Sequence, residues 1–241
     1  MVQPVMSSQL VKDQGVKMVV YSESGIGKTM LIATLPRPVM ISAEKGSLSL
    51  SKENLDRVFG PTGLPYVTDI PVLTIETLQD LEDAYKWCTH PEMQQYYDSI
   101  GIDSITEIAE KCLRHFKPLH KDPRKAYGDM QDNVMNVMTQ FRDIANKNVY
   151  MAAKLGKDKD EVSGQTYWGP SMPGTKLGPQ VPYLVDEVFR YQVMSDGQGG
   201  KTRVLQTQPG LTDVAKDRSG TLSEYEFPHL GYIINKIKGI Q

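Results

Sequence analysis

The stretch Val16-Lys17-Met18-Val19-Val20-Tyr21-Ser22-Glu23-Ser24-Gly25-Ile26-Gly27-Lys28-Thr29 decides the fold of this chain. An apolar, β-branched run stops at small polar residues, and Gly27-Lys28-Thr29 then opens a segment that reads as helix over residues 30–34. Strand, glycine-bearing loop and helix in that order form a phosphate-binding loop. The backbone N–H groups of Ser22, Glu23, Ser24, Gly25, Ile26, Gly27, Lys28 and Thr29 are predicted to wrap a β-phosphate, and the helix N-terminus adds partial positive charge. Lys28 is placed to reach the β- and γ-phosphates, and the Thr29 hydroxyl to join the shell of a Mg²⁺ ion. The expected ligand is a nucleoside triphosphate, ATP with Mg²⁺. One position departs from the pattern G-x-x-x-x-G-K-[ST]: Ser22 stands where the first glycine falls, and serine makes that turn at some cost in φ/ψ freedom.

Composition narrows the class around that loop. A chain of 241 residues with 39% hydrophobic and 23% charged content can bury one substantial core and carries no signature of disorder. No stretch approaches the roughly 18 apolar residues that span a bilayer, and residues 1–14 hold no basic region followed by an apolar core. The expectation is therefore no membrane partner, no secretory signal and a cytoplasmic location. Cys88 and Cys112 stand far apart and outside any ligand spacing, which suits a reducing compartment and argues against a disulfide scaffold or structural zinc. With a formal net charge of −2, nucleic-acid binding would have to rest on local basic patches.

Along the chain, Pro36-Arg37-Pro38 stops the first helix, and residues 39–44 read as a short buried strand ending in Glu44, with Lys45-Gly46 as a turn. Residues 60–65 read as loop and 72–75 as strand. Residues 77–89 read as a helix with Leu78, Leu81, Ala84, Tyr85 and Cys88 on one face. Residues 97–104 form a strand ending in an acid, 105–116 and 131–146 are helices, and 149–154 is a further buried strand. Residues 156–182 hold five Gly and four Pro with no period, so they are expected to form a long functional or mobile loop. Beyond it, 183–194 and 202–206 flank an Asp196–Gly200 hairpin turn, 224–227 reads as a last strand, and Ile233, Ile234 and Ile237 mark a short helix. Alternating strands and helices over the first two-thirds predict an α/β fold: a mostly parallel sheet with helices on both faces, and an antiparallel C-terminal hairpin at one edge. Without a linker or repeat, residues 1–241 are expected to be a single domain.

Two strand-end acids refine the phosphate loop. Asp103 follows Ile100-Gly101-Ile102, the Walker B arrangement in which an acid holds the Mg²⁺ shell through water; an Asp there also caps a following helix. The next residue, Ser104, cannot serve as a base. Glu44 is the better candidate, because the carboxyl ends of parallel strands converge where ligands bind, and a carboxylate there can orient and deprotonate a water. A strand-end Glu can equally be solvated. Glu23 reads as an exposed loop residue rather than a base.

Taken together, Ser22–Thr29, Met40-Ile41-Ser42-Ala43-Glu44 and Gly101-Ile102-Asp103-Ser104 resemble the RecA-like P-loop ATPase core of the recombinases, whose base is a Glu at the end of the strand after the P-loop helix. More narrowly, the chain resembles the Sak-type single-strand annealing recombinases of bacteriophages, phage nucleotide-binding AAA-like proteins. Ala43-Glu44-Lys45-Gly46, Ile102-Asp103-Ser104-Ile105-Thr106-Glu107, the Gly/Pro-rich loop after Ala152-Ala153-Lys154, Asp186-Glu187-Val188-Phe189-Arg190 and Ala215-Lys216-Asp217-Arg218-Ser219-Gly220 carry that likeness. The resemblance implies a RecA-like fold, DNA-dependent ATPase activity, and a ring or filament of identical subunits with ATP at the subunit interfaces. It places the host-cell cytoplasm as the location and a single-strand DNA-binding protein among the partner candidates. It puts Lys154 where the family senses the γ-phosphate, commonly with Gln; Lys here either contacts phosphate or is exposed. Lys216 and Arg218 resemble the basic pair that a neighbouring subunit extends into the ATP site to stabilise transition-state charge, though an exposed turn reads the same way.

The resemblance also implies single-stranded DNA binding in two loops. Residues 111–125 hold six Lys/Arg (Lys111, Arg114, Lys117, Lys121, Arg124, Lys125) against one acid, Asp122, a candidate phosphate track or a solvated helix end. In residues 156–182, Tyr167 and Trp168 could stack on unpaired bases beside Lys157, Lys159 and Lys176, although Asp158, Asp160 and Glu161 dilute the charge and a Trp168 that packs the loop down reads equally well. The leading expectation is an ATP-hydrolysing, single-stranded-DNA-binding recombinase that promotes annealing or strand exchange in phage recombination. The alternatives are a P-loop phosphotransferase on a small molecule or protein, and a non-catalytic ATP-gated scaffold.

Overall fold

In the computed structural model, which describes residues 6, 14–44, 46–159, 164–195, 197 and 199–240, the opening strand β1 (Lys17–Ser22) lies in the middle of a mixed sheet. The other strands are β2 (Pro38–Ser42), β3 (Val72–Thr74), β4 (Ser99–Asp103), β5 (Asn148–Lys159), β6 (Thr166–Pro170), β7 (Glu187–Ser195), β8 (Lys201–Gln206), β9 (Lys216–Asp217) and β10 (Tyr225–Glu226). The helices are α1 (Lys28–Leu31), which tightens into a 3₁₀ turn over Ile32–Thr34, α2 (Lys52–Phe59), α3 (Leu78–Thr89), α4 (Ile105–Phe116), α5 (Pro123–Arg142), α6 (Val181–Leu184) and α7 (Leu230–Lys238). Strand order is β10-β8-β7-β1-β5-β4-β2-β3, with β6 attached to β5 and β9 to β7. Every pair from β7 through β3 along that order is parallel, and β8, β10, β6 and β9 pair antiparallel. This is the mostly parallel α/β sheet of a RecA-like P-loop core, with the antiparallel hairpin at the expected edge.

The period of two along the strands sorts the core into two layers. Val19, Tyr21, Ile41, Ile100, Ile102, Met151 and Ala153 face α3, α4 and α5. Met18, Val20, Met40, Tyr150, Ala152 and Phe189 face the helical turn after the P-loop and α7. Gly101 is what lets the P-loop helix settle on the sheet: a Cβ there would lie 2.8 Å from the Ile32 side chain. The ends of the elements follow local chemistry. Thr77 and Asp80 form a capping box at α3, Ser104 caps α4, and Asp122 followed by Pro123 opens α5.

Three sequence expectations are corrected. The helix expected over 131–146 begins at Pro123 and ends at Arg142, so Arg124 and Lys125 lie in its first turn rather than in a loop. Residues 156–182 are not one irregular loop: β5 runs on to Lys159 and pairs with β6 in register Lys157↔Trp168. After β6 the chain is docked, with Met172 and Leu177 buried in the core. Helix α2 also appears where no element was expected; its Leu55 and Phe59 pack on Ala33 behind the P-loop helix. Lys45, Asp160, Glu161, Asp196 and Gln198 lie outside the described residues.

Candidate nucleotide-binding site

The P-loop takes its shape from two glycines. Gly25 has φ 79° and Gly27, the residue before α1, has φ 115°, both in the left-handed region that glycine enters without a Cβ penalty. Around this turn the Lys28 ammonium arches back over the loop, donating to Ser22 O at 3.1 Å, Ser22 Oγ at 3.0 Å and Glu23 O at 2.9 Å. Ser22, the departure from the glycine pattern, thus supplies an additional acceptor for Lys28. From the sheet, the buried Tyr150 hydroxyl donates to Lys28 O at 2.9 Å and fixes the start of α1. Burial lowers the Lys28 pKa, with Asp103 and Glu44 acting in the opposite sense.

Asp103 sits at the end of β4, 3% exposed, and accepts a 2.6 Å hydrogen bond from Thr29 Oγ1. Burial pushes its carboxyl up to about 6, the Thr29 hydrogen bond opposes the shift, and the nearby Glu44 charge adds to it. A hydroxyl and a carboxylate in contact are hard oxygen donors suited to Mg²⁺. No cluster of three or more His, Cys, Asp or Glu able to hold a metal exists among the described residues. A cation held here would therefore complete its shell with phosphate oxygens and water, the usual habit of Mg²⁺. The residues fit that ion.

Glu44 lies next to this pair because β2 and β4 run parallel in register Ser42↔Asp103. Ala43 N donates to Asp103 O at 2.8 Å, Ser42 Oγ donates to Glu44 O at 2.7 Å, and Ser104 Oγ donates to Glu44 Oε1 at 2.7 Å. The half-buried Glu44 carboxylate faces a cleft of about 770 Å³ whose lining includes Glu76, Glu107, Lys111, Arg114 and Lys154. Lys154 stands beside Ser22 in the β1–β5 register, yet its Nζ is held at 3.1 Å by both Glu107 and Glu110 of α4. Burial pulls this ammonium down, but the two carboxylates outweigh it and raise its pKa. Thr106 ties the same point to the loop after β6: its hydroxyl accepts from Lys154 N at 3.0 Å and donates to Ser171 O at 2.7 Å.

Lys216 and Arg218 do not join the P-loop of their own chain. The registers Met18↔Glu187 and Glu187↔Asp217 put them at the amino end of β1, opposite the phosphate loop. There Lys216 Nζ donates to Pro182 O at 2.9 Å and Val185 O at 2.5 Å, and Arg218 pairs with Asp186 at 2.8 Å.

The basic segment divides in two. Lys111 is held by Ile75 O and Glu76, and Arg114 by Glu107, so neither is a free phosphate contact. Lys117, Lys121, Arg124 and Lys125 are exposed, and none makes an ion pair with a described residue. Tyr167 and Trp168, adjacent on β6, point to opposite faces of the hairpin. The Trp168 ring lies near two cations, Lys157 Nζ at 5.6 Å and Arg190 Cζ at 6.0 Å from its centroid. Sequence reasoning missed the roles of Ser104, Thr106, Glu107, Glu110 and Tyr150. The Ser104-x-x-Glu107 spacing signals a helix start, but nothing local signals their contacts with Glu44, Lys154 or Lys28.

A mostly parallel α/β sheet carrying a left-handed glycine turn, a Lys over it and a Thr–Asp pair beneath it defines a P-loop nucleotide-binding protein. The chain belongs to the AAA domain family (AAA_24), which matches residues 14–219. No curated protein matches it. Solved structures similar to it include the RadB recombinase, at 14% identity and TM-score 0.45, covering 80% of this chain and 81% of that one. A KaiC-like protein from Pyrococcus horikoshii OT3 (12% identity, TM-score 0.43, 80% and 77% covered) and the flagellar accessory protein FlaH from Methanocaldococcus jannaschii (11%, 0.41, 80% and 78%) are also similar. No helix among the described residues is long and apolar enough to cross a membrane.

Proposed function

We propose that this protein is a cytoplasmic ATPase, a single RecA-like domain over residues 1–241, that couples ATP hydrolysis to single-stranded DNA binding in annealing or strand exchange, as in phage recombination. The observation that carries the hydrolytic part is the Glu44 carboxylate held beside Asp103 and Lys28 at the carboxyl ends of β2 and β4. Glu44 takes a proton from water as the water oxygen bonds to the γ-phosphorus. The bond from that phosphorus to the β–γ bridging oxygen breaks, and its electron pair leaves on ADP. Lys28 swings from Ser22 and Glu23 onto the phosphates and offsets the charge that develops there. Thr29 and Asp103 would hold a Mg²⁺ ion, which would supply neutralisation of phosphate charge.

The DNA part is supported by Lys117 and Lys121 on the segment joining α4 to α5, by Arg124 and Lys125 in the first turn of α5, all four exposed, and by Trp168 with its flanking cations. Lys154, once released by Glu107 and Glu110, is in reach of the phosphate loop as a γ-phosphate contact. Lys216 and Arg218, remote from their own P-loop, suit a role at a neighbouring subunit's ATP in a ring or filament.

The test measures ATP turnover and DNA affinity together. Glu44→Gln should cut turnover about 10²–10⁴-fold while nucleotide still binds, and single-stranded DNA should bind at low salt in the presence of nucleotide. Replacing Lys117, Lys121, Arg124 and Lys125 by Ala should flatten the dependence of log affinity on log salt by about 0.7 per lost phosphate contact. Turnover without any DNA binding would leave an ATPase of a different kind; unchanged turnover in Glu44→Gln would remove Glu44 as the base.

A further inference from the structure

We propose that Ser104 is the positioning residue for Glu44, fixing the orientation of the carboxylate that activates water. The inference rests on the reading of Glu44 as the base and deepens it. Ser104 is fully buried, and its hydroxyl touches two groups: it lies 2.7 Å from Glu44 Oε1 and 3.3 Å from the backbone N of Glu107. The Glu107 N–H can only donate, so the Ser104 oxygen is the acceptor there. Its single proton is then directed at Glu44, and the hydrogen bond has one sense.

The surroundings keep this geometry. Ser104 is the N-cap of α4, so the helix fixes its backbone and rotamer, while the Ala43–Asp103 and Ser42–Glu44 hydrogen bonds fix the end of β2. Glu44 has two rotatable carbons between backbone and carboxylate, and Ser104 removes the freedom they leave. With Oε1 occupied, Oε2 accepts no hydrogen bond from any described residue and is the oxygen available to water. Glu107, third in the capping sequence, turns its own carboxylate to Lys154 and Arg114, so Ser104 is left to Glu44. The residue directly after the Walker B Asp therefore acts on the base across the strand boundary, in place of being the base.

The experiment separates capping from positioning. Ser104→Gly removes the hydroxyl but keeps an N-cap residue that costs the helix only a few tenths of a kcal/mol, and Ser104→Thr restores the hydroxyl. Expected for Ser104→Gly is a loss of roughly 10- to 100-fold in kcat. Its KM, its equilibrium affinity for a non-hydrolysable Mg²⁺·ATP analogue and the thermal midpoint of the nucleotide-free protein should stay near wild type. Ser104→Thr should recover most of the kcat, and Ser104→Gly combined with Glu44→Gln should be no slower than Glu44→Gln alone. Should Ser104→Gly fail to fold, Ser104→Ala carries the same comparison against Ser104→Thr. An unchanged kcat, or a loss that adds fully to that of Glu44→Gln, overturns the role of Ser104. Retained turnover in Glu44→Gln by itself overturns the assignment of the base instead, and the two failures are distinct.

Discussion

Glu187 offers the sharpest test of the fold's electrostatics. It opens β7 at the amino end of the sheet, 1% exposed, between Met18 of β1 and Asp217 of β9, and its Oε2 has no hydrogen-bond partner among the described residues. Burial, with the neighbouring Asp217 charge adding to it, pushes this carboxyl from 4.5 up to about 8. The folded chain thus holds a proton that the unfolded chain releases near 4.5, so stability falls as pH rises from there and levels off above about 8. The slope is about 1.4 kcal/mol per pH unit, which amounts to about 2–3 kcal/mol between about pH 6 and about pH 9. Lys17, lowered to about 8 by burial, acts in the opposite direction above its own pKa, because there the unfolded chain binds the extra proton. Wild type alone therefore shows a sum of the two. Glu187→Gln keeps the shape, cannot ionise and leaves Lys17 in place. Urea denaturation of both proteins at the two pH values isolates the Glu187 contribution. The variant should gain about 2–3 kcal/mol on wild type on going from about pH 6 to about pH 9. That gain corresponds to roughly 5–10 °C in thermal midpoint for a chain of this size. Equal changes in the two proteins would refute the argument that Glu187 is buried and protonated.

Two further outcomes follow from the site. Gly101→Ala places a methyl 2.8 Å from Ile32 in a fully buried contact and should destabilise the protein by about 1–3 kcal/mol, read by denaturant unfolding, with weaker nucleotide binding because Ile32 continues the P-loop helix. Mg²⁺·nucleotide affinity, followed by calorimetry, should fall about tenfold per unit as pH drops below about 6, where Asp103 takes up its proton, and Asp103→Asn should be weak and flat over the same range.

Local chemistry made much of this legible. The β-branched run before Ser22 and the Gly-Lys-Thr after it specify a strand, a turn and a helix start without outside help, and α4 was readable to the residue because Ser104 caps it and its apolar spacing is regular. The hairpin over Lys157–Trp168 was not readable, since its glycines and prolines signal a loop and its strands are stabilised by pairing with each other. The start of α5 at Pro123 was masked by the basic residues beside it, although Asp122-Pro123 is a helix-opening pair.

The amino-acid sequence by itself determined that this chain carries a phosphate loop, because that motif depends on residues within a few positions of one another, and the alternation of strand and helix patterns pointed to a mostly parallel sheet. It also placed an acid at each of two strand ends. Only the tertiary structure decided what those acids meet. The parallel register of β2 with β4 brings Ser104 to Glu44 across sixty residues of chain, and the position of α4 over β5 gives Lys154 to Glu107 and Glu110. Contacts of that separation are set by strand order and helix packing, and no spacing in the chain encodes them.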